Sequence, residues 1–263
     1  MELEWVIKPL HTHEELERVV EIQKIVWGLD GGGATSPISL RAWAMDIPET
    51  SVLLGAFLEE EMVAFVLFLP TLTPKTAYGH MLGVLEPYRD SGIGMSLLMA
   101  VRDRLVECGI TYCHWTYEPL ESRNAHMYLN RMGGRAVSYQ TGYYNVDCDM
   151  HRGLPLDRFV TLVDLCASET TSGFQTLDDA LCRYPLAGPE FMPDSPVVLV
   201  PIPGDLDSLK LSDMEAAYQA RMTTRAVFLE YLNNRGYVAE RLVSGKTEGR
   251  RMSCYVLEKG RAA

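Results

Sequence analysis

Residues 88 to 94, Tyr-Arg-Asp-Ser-Gly-Ile-Gly, combine an arginine with two glycines spaced two apart. They follow the strand-like run His80-Met81-Leu82-Gly83-Val84 and precede an amphipathic stretch. Glycine permits left-handed turns and lets a ligand approach the backbone closely. A loop of this kind at a helix start points consecutive N–H groups into one concavity, where they and the helix dipole favour an anion. The chemistry on offer is phosphate binding. Two close glycines after a strand also serve as a plain turn, and the loop alone leaves both readings open.

The elements around the loop follow from patterning. Trp5 to Pro9 is a candidate first strand. Thr12 and Glu15 form a capping-box pair ahead of a helical pattern that runs to Trp27 and stops at Gly28. Pro37 to Met45 is a second short helix. Ser51 to Leu58 and Met62 to Leu69, joined by Glu59 to Glu61, read as a hairpin, and Ala77 to Leu85 as the next strand. After the loop, Ile93, Leu97, Leu98, Val101 and Leu105 share one helical face and Gly109 stands at the C-terminus. Thr111 to Tyr117 is a strand and Glu121 to Met132 a helix closed by Gly133-Gly134. Arg135 to Val146 and Arg158 to Leu165 are two more strands. This order makes an α/β sandwich with a partly parallel centre.

Ala167 to Pro196 has weak periodicity and reads as a linker. Val197 to Ile202 is a strand, Ser212 and Glu215 make a capping box for a helix to Asn234, and Tyr237 to Val243 and Arg251 to Leu257 are strands. Composition bounds the partners. With 47% hydrophobic and 22% charged residues among 263, the chain is globular, and its net charge of −11 argues against nucleic acid. The six cysteines are scattered without metal-ligand spacing, so no metal is expected and a reducing cytoplasm is. No signal peptide is visible, and the longest apolar run, Met62 to Leu69, is too short to cross a membrane.

Strand, Arg89-Asp90-Ser91-Gly92-Ile93-Gly94 loop, amphipathic helix, strand, and helix ending in glycine together resemble the GNAT superfamily of acyl-CoA N-acyltransferases over roughly residues 5 to 165. Trp115-Thr116-Tyr117-Glu118-Pro119-Leu120 with Asn124-Ala125, and Gly153-Leu154-Pro155 with Asp157-Arg158, are similar to a poorly characterised bacterial branch with a C-terminal extension. The resemblance implies a GNAT-like mixed sheet with a splayed central strand pair. It also implies acetyl-CoA as co-substrate, and a small-molecule or peptide amine as acceptor. The acyl-CoA-binding catalytic domain would span residues 1–168, and a linker with a smaller α+β lobe residues 169–263.

Backbone N–H groups of Arg89, Asp90, Ser91, Gly92, Ile93, Gly94 and Met95 would hold the coenzyme pyrophosphate. Leu82 and Val84 would pair through their backbone with the pantetheine arm, their side chains being core, and Asn124 would add a contact. Attack of a neutral amine on the thioester needs a base and an acid. His80 is the base candidate, with His114 and Glu118 as rivals. The family's tyrosine, four residues before the helix-ending glycine, falls here on Leu129. The family's asparagine falls on Ser122, two residues before Asn124. Tyr128, the acid candidate, sits one place early and would point about 100° away on a regular helix; Tyr143 and Tyr144 are outsiders. Asp30 and Asp46 could meet a cationic acceptor or serve as loop and cap residues. Asp157-Arg158 reads equally as a site or as a solvent-facing pair in a turn.

An acyl-CoA-binding protein with little catalysis, or an enzyme for a longer acyl chain, is the alternative, and a homodimer stands open beside a monomer. Tyr231-Leu232-Asn233-Asn234-Arg235-Gly236 echoes Tyr128-Leu129-Asn130-Arg131-Met132-Gly133. The C-terminal lobe therefore reads as a degenerate half-copy of the second part of the fold, lacking a glycine-rich loop and so binding no second coenzyme.

Overall fold

Helix α1 (His13–Trp27) starts at the box the sequence encodes. Thr12 Oγ1 accepts from the Glu15 N–H at 3.2 Å, and the Glu15 carboxylate accepts from the Thr12 N–H at 3.0 Å. It stops at Gly28, whose φ of 62° is left-handed. The computed structural model describes residues 4–29, 33–45, 51–144, 153–167, 176–247 and 249–260. The chain forms two compact units, and it passes from the first to the second after Trp115.

The first unit continues from β1 (Val6–Pro9) and α1 through α2 (Pro37–Trp43), β2 (Val52–Leu58), β3 (Glu61–Pro70) and β4 (Thr76–Val84). A 3-10 turn (Glu86–Tyr88), α3 (Ile93–Glu107) and β5 (Tyr112–Tyr117) follow, with the last two residues of β5 counted in the second unit. The strand order is β1-β2-β3-β4-β5, antiparallel except for the parallel pair β4–β5 that α3 connects. Strands β2 and β3 are buried along nearly their whole length, as strands covered on both faces must be. Leu16, Val19, Ile22 and Val26 of α1 and Leu40 of α2 pack with Leu53, Phe65 and Leu67 of the sheet in one core.

The second unit contains α4 (Ser122–Ala125) running into a π-turn (His126–Arg131), then β6 (Arg135–Gln140), β7 (Arg158–Asp164), α5 (Leu177–Arg183) and β8 (Val197–Pro203). Helix α6 (Leu206–Ser212), α7 (Met214–Phe228), a second π-turn (Leu229–Asn234), β9 (Tyr237–Thr247) and β10 (Arg250–Lys259) complete it. Its strands run β7-β6-β9-β10-β8, all antiparallel. Tyr139, Phe159, Phe228 and Tyr255 stack and edge onto one another at its centre, with ring centroids 4.7–5.6 Å apart.

Several sequence expectations need correction. Helix α7 is capped by Asp213, which accepts from the Ala216 N–H at 2.9 Å; Ser212 instead ends the unforeseen α6 and donates to the Ser208 carbonyl. The expected linker contains α5, and residue 186 bridges in parallel to Leu199. Strand β6 ends at Gln140, short of Tyr143 and Tyr144. The C-terminal strands extend the same sheet as β6 and β7, because β6 pairs with β9. No helix among the described residues is long and apolar enough to cross a membrane.

Candidate active site

Where β4 ends, the chain makes a cradle. The Leu85 N–H donates to the Val63 carbonyl and the Arg89 N–H to the Glu86 carbonyl, closing the 3-10 turn. Asp90 and Gly92 then take left-handed backbone, with φ 61° and 95°. Asp is among the few residues that tolerate this region. Ser91 Oγ donates to the Tyr88 carbonyl at 2.6 Å and fixes the turn from inside. The Arg89 guanidinium folds back, with Nε donating to the Val84 carbonyl at 3.3 Å.

Helix α3 begins at Ile93 with Gly92 as its cap residue, no side-chain cap hydrogen bond and no acidic residue in the first turn. Its first regular intrahelical bond reaches from the Ser96 N–H to the Gly92 carbonyl. The Ile93 N–H reaches a side-chain acceptor, Ser91 Oγ, at a long 3.4 Å. The dipole and the N–H groups at the front of α3 favour an anion there. The fit of a pyrophosphate rests on this absence of an internal cap.

Strand β4 is split lengthwise. From Thr76 to Gly79 it pairs in parallel with Tyr112 to Trp115, and no pairing between the two strands is described beyond Gly79. On the other edge, β3 stays paired to Val84, but the register slips by one so that Met81 faces Leu67 while Gly79 faces Phe68. His80 is the extra residue of that bulge. Bulges bend a strand and re-aim a side chain, and this one coincides with the point where β4 leaves β5. His80 to Val84 therefore present backbone groups on the β5 side, available to an extended ligand carrying amides. Leu82 and Val84 are half-buried rather than core, so their side chains also border this edge.

The bulge sets His80 among aromatic rings. Trp43 lies edge-on to it with centroids 6.0 Å apart, Tyr78 is 6.1 Å away on the same strand, and Tyr78 is 5.2 Å from His114. Burial lowers the pKa of both His80 and His114 below the usual imidazole value, so both are neutral at neutral pH. A neutral half-buried imidazole can accept a proton.

Tyr128 lies in the second unit, half-buried on the π-turn, with its ring 5.3 Å from Tyr117. Burial raises its pKa well above that of an ordinary phenol, so it keeps its proton and can donate one. The π-turn bears on the one-residue offset. The Met132 N–H reaches back to the Met127 carbonyl at 3.1 Å, five residues, and so accommodates one residue more than an α-turn. A residue five before Gly133 thereby comes to the phase that a regular helix gives to the residue four before. Sequence patterning misses this because π- and α-turns share composition. Asn124 is half-buried on α4.

The rivals fare differently. Glu118 is buried and bound to Arg221, and its other oxygen lies 3.4 Å from Arg158 Nη1. Tyr143 and Tyr144 stand on the loop after β6, edge to face at 4.8 Å, with Arg158 over the Tyr144 ring. Asp157 and Arg158 are not solvent-facing: Asp157 is fully buried and binds Arg225, Tyr139 and the Gly142 N–H. Asp30 and Asp46 lie outside the described residues. No His/Cys/Asp/Glu group among the described residues is arranged to hold a metal ion.

Residues 16–133 match the model of the Acetyltransferase (GNAT) family. No curated protein gives a significant sequence match. Among solved structures, the chain is similar to a probable acetyltransferase from Staphylococcus epidermidis, with 12% identity and a TM-score of 0.51, covering 61% of this chain and 99% of that one. It is also similar to an Arabidopsis thaliana protein solved with a bisubstrate analogue, with 17% identity and a TM-score of 0.50, covering 61% and 98%. The ribosomal-protein-S18-alanine N-acetyltransferase of Escherichia coli aligns at 16% identity and a TM-score of 0.49, covering 65% and 100%. At such identities the likeness is one of fold.

Proposed function

We propose that the chain, whose residues 16–133 match the model of the Acetyltransferase (GNAT) family, is an acyltransferase that moves an acetyl group from acetyl-CoA to an amine of a small molecule or peptide. The observation that carries this reading is the uncapped N-terminus of α3 behind the left-handed Asp90–Gly92 turn, placed directly after the strand edge that β5 leaves unpaired. The catalytic domain is assigned to residues 1–168, with the linker and half-copy lobe in 169–263, and the chain to the cytoplasm.

In this reading acetyl-CoA supplies an activated acyl group as its thioester. The cradle from Arg89 to Met95 binds the pyrophosphate, the open edge at Leu82 and Val84 pairs with the pantetheine amides, and Asn124 adds a contact. His80, neutral and half-buried, takes a proton from the ammonium form of the acceptor, directly or through water. The free amine attacks the carbonyl carbon, the C–N bond forms, and the C–S bond breaks. Tyr128 gives its phenolic proton to the departing sulfur, the acylated nitrogen sheds its extra proton to solvent to become the amide, and the tyrosine regains a proton from solvent.

The test is thiol release from acetyl-CoA with tyramine, spermidine and an N-terminally free alanyl peptide as acceptors. Saturable release with at least one of them is expected. Coenzyme binding without acceptor-dependent release would reassign the chain as an acyl-CoA-binding protein. Release from longer acyl thioesters in preference to acetyl would reassign the donor.

A further inference from the structure

The second unit carries an internal two-fold relationship that one constant sequence offset describes. That offset relates the π-turn His126–Arg131 to Leu229–Asn234, and the bond from the Met132 N–H to the Met127 carbonyl to that from the Arg235 N–H to the Glu230 carbonyl. It relates Gly133, with φ 67°, to Gly236, with φ 71°. It also relates the bulge on β6 between Ala136 and Ser138 to the irregularity where β9 passes from Ala239 to Arg241 opposite β10. Strands β6 and β9 meet antiparallel at Ala136 and Ala239, which the same offset relates, so the pair lies on the axis.

Two asparagines seal the arrangement reciprocally. Asn130 Nδ2 donates to the Leu242 carbonyl at 2.8 Å and its Oδ1 accepts from the Leu242 N–H at 2.9 Å. Asn233 does the same to Tyr139, at 2.8 Å to the carbonyl and 2.9 Å from the N–H. A carboxamide offers one donor and one acceptor, as a backbone peptide does. Each therefore extends the ladder past the single β6–β9 bridge, onto the strand of the opposite copy. Leu242 and Tyr139 are themselves related by the offset. This is the contact pattern of a symmetric dimer, in which residue i meets j and j meets i.

We infer that residues 197–259 act as a built-in dimer partner for the preceding half-domain, and that their strand β9, through Asn130, holds the π-turn carrying Tyr128. Asn130 is then a positioning residue. Its part in transfer rests on the acid reading of Tyr128, whereas the holding of the turn does not. The half-copy itself has lost the equivalent donor: Tyr231 is fully buried and spends its hydroxyl on the Pro193 carbonyl.

The test uses the full chain with Asn130→Ala, Asn130→Asp and, as the symmetry mate, Asn233→Ala. Amide hydrogen exchange should accelerate at Leu242 and Met132 in Asn130→Ala, and less in Asn130→Asp, which still accepts from the Leu242 N–H but cannot donate to its carbonyl. It should accelerate at Tyr139 instead in Asn233→Ala. Unchanged exchange at Leu242 and Met132 in a folded Asn130→Ala would overturn the holding role. With the acceptor that supports thiol release, Asn130→Ala should lower kcat about tenfold with KM for acetyl-CoA unchanged. It should lower kcat no further in a Tyr128→Phe background, because coupled residues are not additive. An equal loss in that background would overturn the link to Tyr128. A kcat unaffected by Tyr128→Phe alone would remove the acid assignment, and the holding role would then be decided by the exchange result. The chain should sediment as a monomer; a stable homodimer would argue against a built-in partner.

Discussion

His80 sits edge-on to Trp43, ring centroids 6.0 Å apart and planes at 87°, on the one residue by which β4 outruns β3. The bulge that turns this histidine out of the ladder is also where β4 parts from β5. The base candidate and the opening for an acyl donor thus have a common origin in the backbone.

That setting fixes a pH dependence. Desolvation lowers the His80 pKa below 6.5, so the imidazole is unprotonated, as the proposed base must be, from that depressed value upward. The acid limb of kcat/KM should have its midpoint below 6.5, and His80→Gln should remove the limb and cost about a hundredfold in rate. The sign for stability agrees. A lowered folded pKa favours the neutral form, so the contribution is complete above the unfolded value near 6.5 and is lost as pH falls. A pH–rate profile of the variant that keeps its acid limb would place the base elsewhere.

The glycine cradle yields a paired prediction. Gly92, at φ 95°, has only Trp5 at 4.0 Å where a Cβ would go, and Gly109, at φ 77°, has nothing within 4 Å. A side chain at either site therefore meets backbone strain of roughly 1–2 kcal/mol and no clash with the fold. Gly92→Val adds side-chain atoms to the loop proposed to hold the pyrophosphate, whereas Gly109→Val adds them at the other end of α3. Calorimetric titration with coenzyme A should show at least a tenfold weaker affinity for Gly92→Val and wild-type affinity for Gly109→Val. Equal affinities in the two variants would remove the pyrophosphate assignment.

Much of this site is legible in the chain itself, for identifiable reasons. Capping boxes, helix-ending glycines and strand alternation are local, so the Thr12–Glu15 cap, the Gly109 stop and the loop before Ile93 follow from spacing alone. The repeat of Tyr-Leu-Asn before a glycine is visible as a pattern, but its meaning is not. That Asn130 and Asn233 each clamp the other copy's strand depends on β6 meeting β9, a pairing between segments far apart in the chain. The burial of Asp157 and Arg158 is hidden for the same reason: Asp157 binds Arg225 of α7, and Arg158 reaches Glu118, which Arg221 of α7 also binds. The His80 bulge and the π-turn under Tyr128 each accommodate one residue by geometry, without a signature residue.

The buried charges provide the remaining prediction. Arg221 is fully buried, with its Nε unpartnered, and is bound by the Glu118 carboxylate and at 3.4 Å by the Tyr139 hydroxyl. Burial works against its charge, Glu118 and Tyr139 more than restore it, and its pKa moves upward on balance. Removing one partner leaves an uncompensated buried charge, at a cost of about 3–5 kcal/mol, whereas replacing the pair by apolar groups is often neutral. Glu118→Gln should therefore destabilise the chain by roughly that amount in urea unfolding, and adding Arg221→Met should recover most of it. The same double variant separates structure from catalysis. A structural Glu118 predicts that thiol release returns together with stability. Recovered stability with lost turnover would instead identify Glu118 as a base and displace His80 from that role.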